Sequence, residues 1–496
     1  MKSLLLLVTI LFISALCGQG QESKRAQPSP WEKSVVSLEV SRRQYDYYQP
    51  WTRKTSRVQK TGILLDGRQI LTTADELFDR TLVRLQKNGR GRWYSGEVTW
   101  IDYYANLALV TTSEEGFWNG LKPATFGGSV SEEASLQILR WREGNLENRR
   151  AEFTQYTVRE GQLAALNVPV IEADSDIQNA GWGEIVTANS HVVAILSSQE
   201  GRMCTSIPGP FIQSILDARQ KDRYHGLGYF HFYWQGAQNP ASLARLKLTG
   251  DPRGAIVSSV PPRPDGLDPV IRTQDIILNI DGHDLDIQGD YVDPEYGNMM
   301  LEALATRNKW AGDDVKMTIW RDGALTNIVY KLPKFDYSVS LVPAATFDHE
   351  PEYLILGGLV FQPLTDSYLQ SWGSDWRRRA PFRLVYYRTE QPTKEEPALV
   401  LMSQVLPDPY NIGYQEQKCL VVDKINGRHI SRLTDLREAL DNPKNGYHVI
   451  EFAQSDSLRS IVLAAGDSEK EATTRILKRY GIDESYHFES KEKQEK

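Results

Sequence analysis

From Trp31 to about Ala218 the chain is a succession of short apolar and β-branched runs, each cut by a turn signal. Residues 34–40, 61–65, 69–72, 82–86, 107–111, 168–172 and 191–197 read as strands, with Asp66-Gly67 as a tight turn after the second. No helix-length apolar period separates them, so the crossover helices of a parallel sheet are missing. That cadence predicts an antiparallel barrel class for this stretch. Residues 211–219, after the breaker Pro208-Gly209-Pro210, read as a closing helix.

The remaining chain repeats a different plan twice. From about Tyr224 to Phe335, strands are expected over 227–234, 255–260, 275–280 and 315–320, and a helix near 295–306. From about Asp336 to Gly481, strands are expected over 354–361, 399–405 and 420–425, with helices over 433–440 and 468–480. Gly481 suits the C′ position of the last helix. Two parallel phrases mark the repeat: Asp275-Ile-Ile-Leu-Asn-Ile-Asp-Gly282 and Cys419-Leu-Val-Val-Asp-Lys-Ile-Asn-Gly427. At 496 residues the chain is too long for one core. The expected division is a signal peptide over 1–20, a first domain over 31–220, a second over 224–335, a third over 336–482 and a charged tail over 483–496.

The N-terminus carries Lys2, an apolar run from Leu4 to Leu16, then Cys17-Gly18-Gln19-Gly20, the layout of a secretory signal. Export to a periplasm or cell envelope is the expectation, with lipid attachment at Cys17 as a second possibility. Leu16 stands where a lipoprotein signal wants a small residue, which favours ordinary cleavage. Cys204 and Cys419 lie far apart and read as buried small hydrophobes. A net charge of -7 argues against nucleic acid as a partner. No zinc spacing or phosphate loop is present, so no metal or cofactor is expected.

Several phrases resemble the HtrA/Deg family, in particular its plant-type Deg branch: Ser206-Ile-Pro-Gly-Pro-Phe211, Gly358-Leu-Val-Phe-Gln-Pro-Leu-Thr365 and Ala472-Thr-Thr-Arg-Ile-Leu-Lys-Arg479. The resemblance implies a mainly β chain, a trypsin-like double β-barrel domain followed by two PDZ domains. It also locates three catalytic positions. The family's histidine closes a phrase that here reads Ile70-Leu71-Thr72-Thr73-Ala74-Asp75. Its aspartate precedes Leu-Ala-Leu, where this chain has Asn106. Its serine phrase is here Gln178-Asn179-Ala180-Gly181-Trp182-Gly183. Asp75, Asn106 and Ala180 therefore stand at the triad, and the first histidine of the chain is His191.

Alanine has no nucleophilic atom and a carboxylate cannot cycle protons as an imidazole does. The expectation is a chain that is not an enzyme: an exported pseudoprotease that binds polypeptides or protein C-termini. It would act as scaffold, chaperone-like or regulatory subunit in envelope protein quality control, beside active HtrA/Deg proteases. The competing reading is a serine-type endopeptidase with a rewired site drawn from Ser175, Thr187, Ser190 and His191. Asp75, Glu76 and Asp79 beside Arg80 read as a solvated face rather than a metal site. For peptide capture, Leu227, Gly228, Tyr229 and Phe230 look like a PDZ carboxylate loop and its strand, with Leu301 and Leu304 as pocket lining. Core packing is the alternative for both leucines. Gly357-Gly358-Leu359-Val360-Phe361 takes the equivalent place in the third domain. The resemblance further implies a homo-oligomer, a trimer through the protease domain.

Overall fold

A computed structural model describes residues 29–488 except 132, 337–339, 345–346 and 455. The expected signal peptide, Cys17 and the end of the charged tail lie outside the described residues. Strands β1 (Val35–Tyr45), β2 (Arg53–Leu65), β3 (Gln69–Thr72), β4 (Arg80–Lys87), β5 (Tyr94–Asp102) and β6 (Leu107–Thr111) close a barrel in the order 1-2-3-6-5-4. A second barrel uses β7 (Ser135–Arg142), β8 (Asn145–Glu160), β9 (Asn167–Ser175), β10 (Ile185–Ala188), β11 (His191–Glu200) and β12 (Met203–Pro208). Its order, 7-8-9-12-11-10, repeats that of the first, and its pairings are likewise antiparallel. The chain thus folds one six-stranded plan twice, the architecture of a trypsin-like double barrel.

Strand alternation joins the two barrels. Successive side chains point to opposite faces of a strand, so Val36, Leu38 and Val40 of β1 fill the first barrel while Val35 faces out. Ile70 of β3 and Ala108 and Val110 of β6 point inward in the same way; Leu71, Leu107 and Leu109 point outward. The outward set packs with Leu139, Ile185 and Ile195 of the second barrel and with Phe211, Ile212 and Ile215 of the helix Gly209–Gln220. Buried Cys204 and Cys419 are free thiols.

The next unit is a sheet of β13 (Tyr233–Gly236), β14 (Ala255–Ser259), β15 (Ile276–Ile280), β19 (Asp314–Arg321) and β20 (Ala324–Lys331). The two-residue β16 (His283–Asp284) pairs beside β15. Two expectations fail here. The helix near 295–306 is instead a hairpin of β17 (Asp290–Asp293) and β18 (Gly297–Met300), followed by a 3-10 turn over Leu301–Ala305. Asp293 accepts the N–H groups of Glu295 and Tyr296, which fastens a tight turn where the helix would start. The strand over 227–234 shortens to β13. Upstream, Phe230 and Phe232 stack on each other and against Tyr330, and the His231 N–H goes to the Tyr330 hydroxyl instead of a strand partner.

The C-terminal unit is one eight-stranded sheet in the order β27-β26-β24-β23-β22-β21-β28, with β25 (Arg428–His429) paired beside β24. Its strands are β21 (Tyr353–Leu356), β22 (Leu359–Pro363), β23 (Val400–Val405), β24 (Leu420–Ile425), β26 (Tyr447–Phe452), β27 (Ser460–Ala464) and β28 (Tyr486–His487). The single strand expected over 354–361 breaks into the hairpin β21–β22. Gly357 and Gly358 both take positive φ (54° and 92°), which only glycine adopts freely, so the chain reverses between them. The helices Leu433–Leu440 and Asp467–Tyr480 lie where the sequence places them.

Candidate functional site

The three triad positions lie on three loops, two of the first barrel and one of the second. Asp75 follows β3, and its N–H donates to Asn106 Oδ1 at 2.9 Å. Asn106 turns the chain from β5 into β6 at φ 52°, a left-handed conformation that asparagine tolerates better than most residues. Both are buried, each 6% exposed. Asp75 Oδ2 accepts from Gln162 Nε2 at 3.1 Å. The expected solvated acidic face is therefore not what forms: Asp75 is buried, and Glu76 pairs with Arg42 Nε at 2.7 Å. Among the described residues no group of three His, Cys, Asp or Glu side chains converges as a metal site would require.

Beneath Asp75 lies a buried amine. Lys60 Nζ donates to Thr73 Oγ1 at 2.7 Å. Burial pushes the Lys60 ammonium down to about 8, against the charges of Asp75, Glu184 and Glu76, which hold it up. The same burial raises the Asp75 carboxyl, opposed first by Lys60. A hydroxyl beside an amine of lowered pKa has the make-up of a Thr–Lys nucleophile pair. Thr73 is 0% exposed and Lys60 3%, however, so no polypeptide bond reaches this hydroxyl.

The Ala180 loop is fixed from three sides. Arg140 of β7 donates to the carbonyls of Gln178 (2.8 Å) and Asn179 (2.9 Å) and pairs with Glu147 and Glu184. Glu184 Oε2 accepts the N–H groups of Gly181 (2.9 Å) and Trp182 (2.8 Å). Gln199 Oε1 accepts the Ala180 N–H at 2.9 Å. In the Ser/His/Asp mechanism the N–H of the nucleophile position is one of the two that bind the oxyanion. Here a side-chain amide occupies it. The loop then lies on the first barrel: Trp182 O accepts from the Thr61 N–H, and a Cβ on Gly183 (φ 88°) would meet Thr61 O at 2.7 Å and Thr72 Oγ1 at 2.8 Å. Asp75 and Asn106 thus touch directly, while the Ala180 loop is brought onto the strands that lead to Asp75. No hydrogen bond joins Ala180 to either of them among the described residues.

The rewired set is dispersed. Ser175 Oγ donates to Arg150 O, and Thr187 Oγ1 to Gln137 O. Ser190 lies in the β10–β11 turn and His191 opens β11, its Nδ1 2.9 Å from Asn189 O.

Around the site are two cavities that share Gln162. One, of about 160 Å³, is lined by Asn106, Gln162, Ser197, Ser198 and Phe211 among others. The other, of about 610 Å³, opens between the β1–β2 hairpin, Gln162-Leu163 and the C-terminal unit. A clamp that sequence reasoning missed borders this cleft. Phe347 stacks on Tyr103 (4.2 Å between centroids) and lies 5.6 Å from Phe78. Asp348 accepts from the Asp79 N–H (2.8 Å) and the Tyr103 hydroxyl, and Glu350 pairs with Arg43 and Arg53. Burial, aided by Asp348, pushes the Asp79 carboxyl up to about 6. These contacts join positions some 270 residues apart, and no local pattern announces them.

In the unit of β13–β20, Leu227 and Gly228 are buried and joined to the chain after β20: Phe335 N donates to Leu227 O, and Gly228 bridges Lys334. Tyr229 is half-buried against Phe335 and His231, and Phe230 is buried. Leu301 and Leu304 are 0% and 4% exposed and share one core cluster with Phe230, Phe232 and Tyr330. A side-chain pocket lined by those two leucines is closed. The Lys334 side chain lies over Gly226, its Cε 3.2 Å from where a Cβ would stand. Downstream, β13 is the outer strand of its sheet, with Tyr233 57% exposed. In the C-terminal unit β22 is paired on both sides, by β21 and β23, so the strand after Gly357-Gly358 has no free edge.

A family profile described as PDZ domain matches residues 342–487. The Arabidopsis thaliana protein named "Putative protease Do-like 13" is 23% identical over 419 residues, 82% of this chain and 80% of its own. "Protease Do-like 2, chloroplastic", from the same plant, is 25% identical over 471 residues, 90% of this chain and 74% of its own. Among solved structures, the HtrA-type protease AlgW with decapeptide aligns over 62% of this chain and 96% of its own, at 12% identity and a TM-score of 0.45. The names overturn one expectation. Three replaced triad residues pointed to a chain that is not an enzyme, yet relatives aligned over most of its length are called proteases. The replaced residues therefore do not establish that the chain is not an enzyme.

Proposed function

We propose that this chain, which belongs to the HtrA/Deg family of Do-like proteases, captures extended polypeptides and protein C-termini on its first PDZ unit. It does so as an exported scaffold, chaperone-like or regulatory subunit of envelope protein quality control, working as a homo-oligomer beside active proteases of its kind. The domain limits that go with this reading are 31–220, 224–335 and 336–482. The observation that carries it is the edge position of β13, which begins at Tyr233, downstream of the Gly226-Leu227-Gly228 loop. A peptide adds to such an edge through main-chain hydrogen bonds. The exposed Lys334 ammonium beside Gly226 supplies a counter-charge for a terminal carboxylate, and a charge-assisted hydrogen bond is about twice as strong as a neutral one.

The test is fluorescence anisotropy of the full chain with a decapeptide ending in apolar residues, as free acid and as amide. The reading expects the amide to bind about tenfold more weakly, a difference of about 1.4 kcal/mol. It also expects Lys334→Glu to weaken the acid and leave the amide unaffected. Equal affinity for acid and amide, or indifference to Lys334→Glu, would sink the carboxylate mode.

A further inference from the structure

The sheet that carries β13 on one side ends on the other at β20, an outer strand of eight residues. β20 pairs with β19 from Arg321↔Ala324 to Asp314↔Lys331 without a register shift, so no bulge bends it. Neither proline nor a charged side chain stands between Ala324 and Tyr330. Short length, bulges, proline and charge are the usual devices that keep an outer strand from pairing, and this one has none of them. Two apolar side chains on its outward face stand in solvent, Leu325 at 63% exposure and Val329 at 53%. The C-terminal sheet gives the contrast: on β27 the Val462 N–H donates to the Tyr414 hydroxyl, and the Tyr410 hydroxyl donates to Ala464 O. On β20, among the described residues, the one main-chain bond received from outside the sheet is Arg263 Nη2 to Lys331 O, at the far end of the strand.

Turn geometry decides which main-chain groups face out. Asp322 and Gly323 (φ 52° and 84°) form a two-residue hairpin turn, closed by a hydrogen bond between its flanking residues Arg321 and Ala324. Bonded and non-bonded pairs then alternate along the ladder. Thr326 and Ile328 thus bond to β19, while Leu325, Asn327 and Val329 turn their N–H and C=O away from it. Lys331 falls in the same outward set, which is why its carbonyl can meet Arg263. An antiparallel copy set about Asn327 satisfies the outward groups. Leu325 then faces the partner's Val329, Asn327 the partner's Asn327, and each pair exchanges both main-chain bonds. The pattern reads the same from either direction, as a two-fold contact requires. A slip of two residues sets Lys331 against Leu325 in one direction and Val329 against Gly323 in the other, so this register alone matches both apolar side chains. At its ends Lys331 lies opposite the partner's Gly323, where Asp322 and Lys247 stand with opposite signs. Main chain and apolar contact hold such a pair, and charge does not.

We infer that β20 is an interface between two copies of this chain, whose β20 strands pair antiparallel across a two-fold axis at Asn327 and join their sheets into one. The contact lies outside the two barrels and does not depend on carboxylate capture. The joined sheet keeps a β13 strand at each outer side, so both peptide edges stay open.

The experiment is disulfide trapping in the full chain, with copper–phenanthroline as oxidant and a non-reducing denaturing gel as readout. The parent chain runs alongside to show any linkage by its own cysteines; Cys204 and Cys419 are buried. Asn327→Cys should give a linked pair, and Lys316→Cys, exposed on neighbouring β19, should not. In the Asn327→Cys chain, adding Leu325→Lys should cut the linked fraction several-fold. Adding Val329→Glu as well sets opposite charges face to face in this register and should restore it. All four side chains are exposed, so these changes leave the fold intact. Absence of linkage at Asn327→Cys overturns the inference, and it is the result expected if the edge takes a foreign apolar strand instead. Equal linkage at Lys316→Cys, or failure of Val329→Glu to rescue, overturns it too. The free-acid decapeptide should bind the Leu325→Lys chain as it binds the parent, which separates this outcome from a failure of carboxylate capture.

Discussion

Arg140 Nη1 lies 3.4 Å from Glu184 Oε1, a pair with side chains 10% and 2% exposed, and between them they hold every residue from Gln178 to Trp182 except Ala180. Ala180 is held by Gln199 instead. The loop where a nucleophile would sit is therefore stabilised by groups that come from three different strands or their ends.

Glu184→Gln should be strongly destabilising. It keeps the shape but removes the charge facing buried Arg140, and breaking a buried pair costs up to about 3–5 kcal/mol. Because Glu147 still pairs with Arg140, the expected loss is about 2–4 kcal/mol, read as a shift in urea midpoint with unchanged slope. A loss below about 0.5 kcal/mol would show that the loop does not depend on this pair.

Lys60 makes stability depend on alkaline pH. Its folded value, about 8, lies below the ordinary lysine value of 10.5. Between those two pH values the unfolded chain binds a proton that the folded chain does not. The penalty is present in full below pH 8 and fades as pH rises toward 10.5, with an upper size of about 3 kcal/mol for a shift of this extent. Lys60→Met should accordingly stabilise the protein at pH 7.5, by about 1–2 kcal/mol once the lost bond to Thr73 is counted. The gap between variant and parent should narrow by pH 10. Paired urea titrations at the two pH values check this, and a gap independent of pH would count against a buried charge.

Phe347→Ala should loosen the C-terminal unit from the first barrel. The ring is 8% exposed and contacts Tyr103 and Phe78. Truncating a buried aromatic costs about 3–5 kcal/mol. Calorimetry should then show the C-terminal unit melting ahead of the barrels, with faster proteolysis near residue 347. A single transition merely shifted as a whole would mean that other contacts hold the two together.

Much of the barrel architecture was readable because it rests on local patterns. Val36, Leu38 and Val40 alternate with outward residues on β1, and Asp66-Gly67 turns the chain between β2 and β3. The helix Leu433–Leu440 follows its apolar spacing in the same way. Where the reading failed, a distant or side-chain interaction decided the outcome. Asp293 capping Glu295 and Tyr296 displaced a plausible helix, and Phe230 and Phe232 turned inward onto Tyr330 rather than extending β13. The contact of Asp75 with Asn106 was implied by matching phrases, but the lock on Ala180 was not. Gln199 stands 19 residues from Ala180, and Arg140 stands 44 from Glu184. Nothing in the spacing of such pairs distinguishes them from ordinary surface residues.

β28 has only two residues, yet it covers the outer edge of β21, all four of whose residues are buried. Without it the largest sheet of the molecule would present a row of unpaired amides and carbonyls along an apolar strand, the template on which chains stick edge to edge. Tyr353 and Ile355 bond to Glu484 and Ser485 just before it, and Tyr486 lies against the guanidinium of Arg437. β28 is thus a guard against edge-to-edge pairing of this sheet. A recombinant form cut back to the last helix at Tyr480 would lose solubility before it lost its fold.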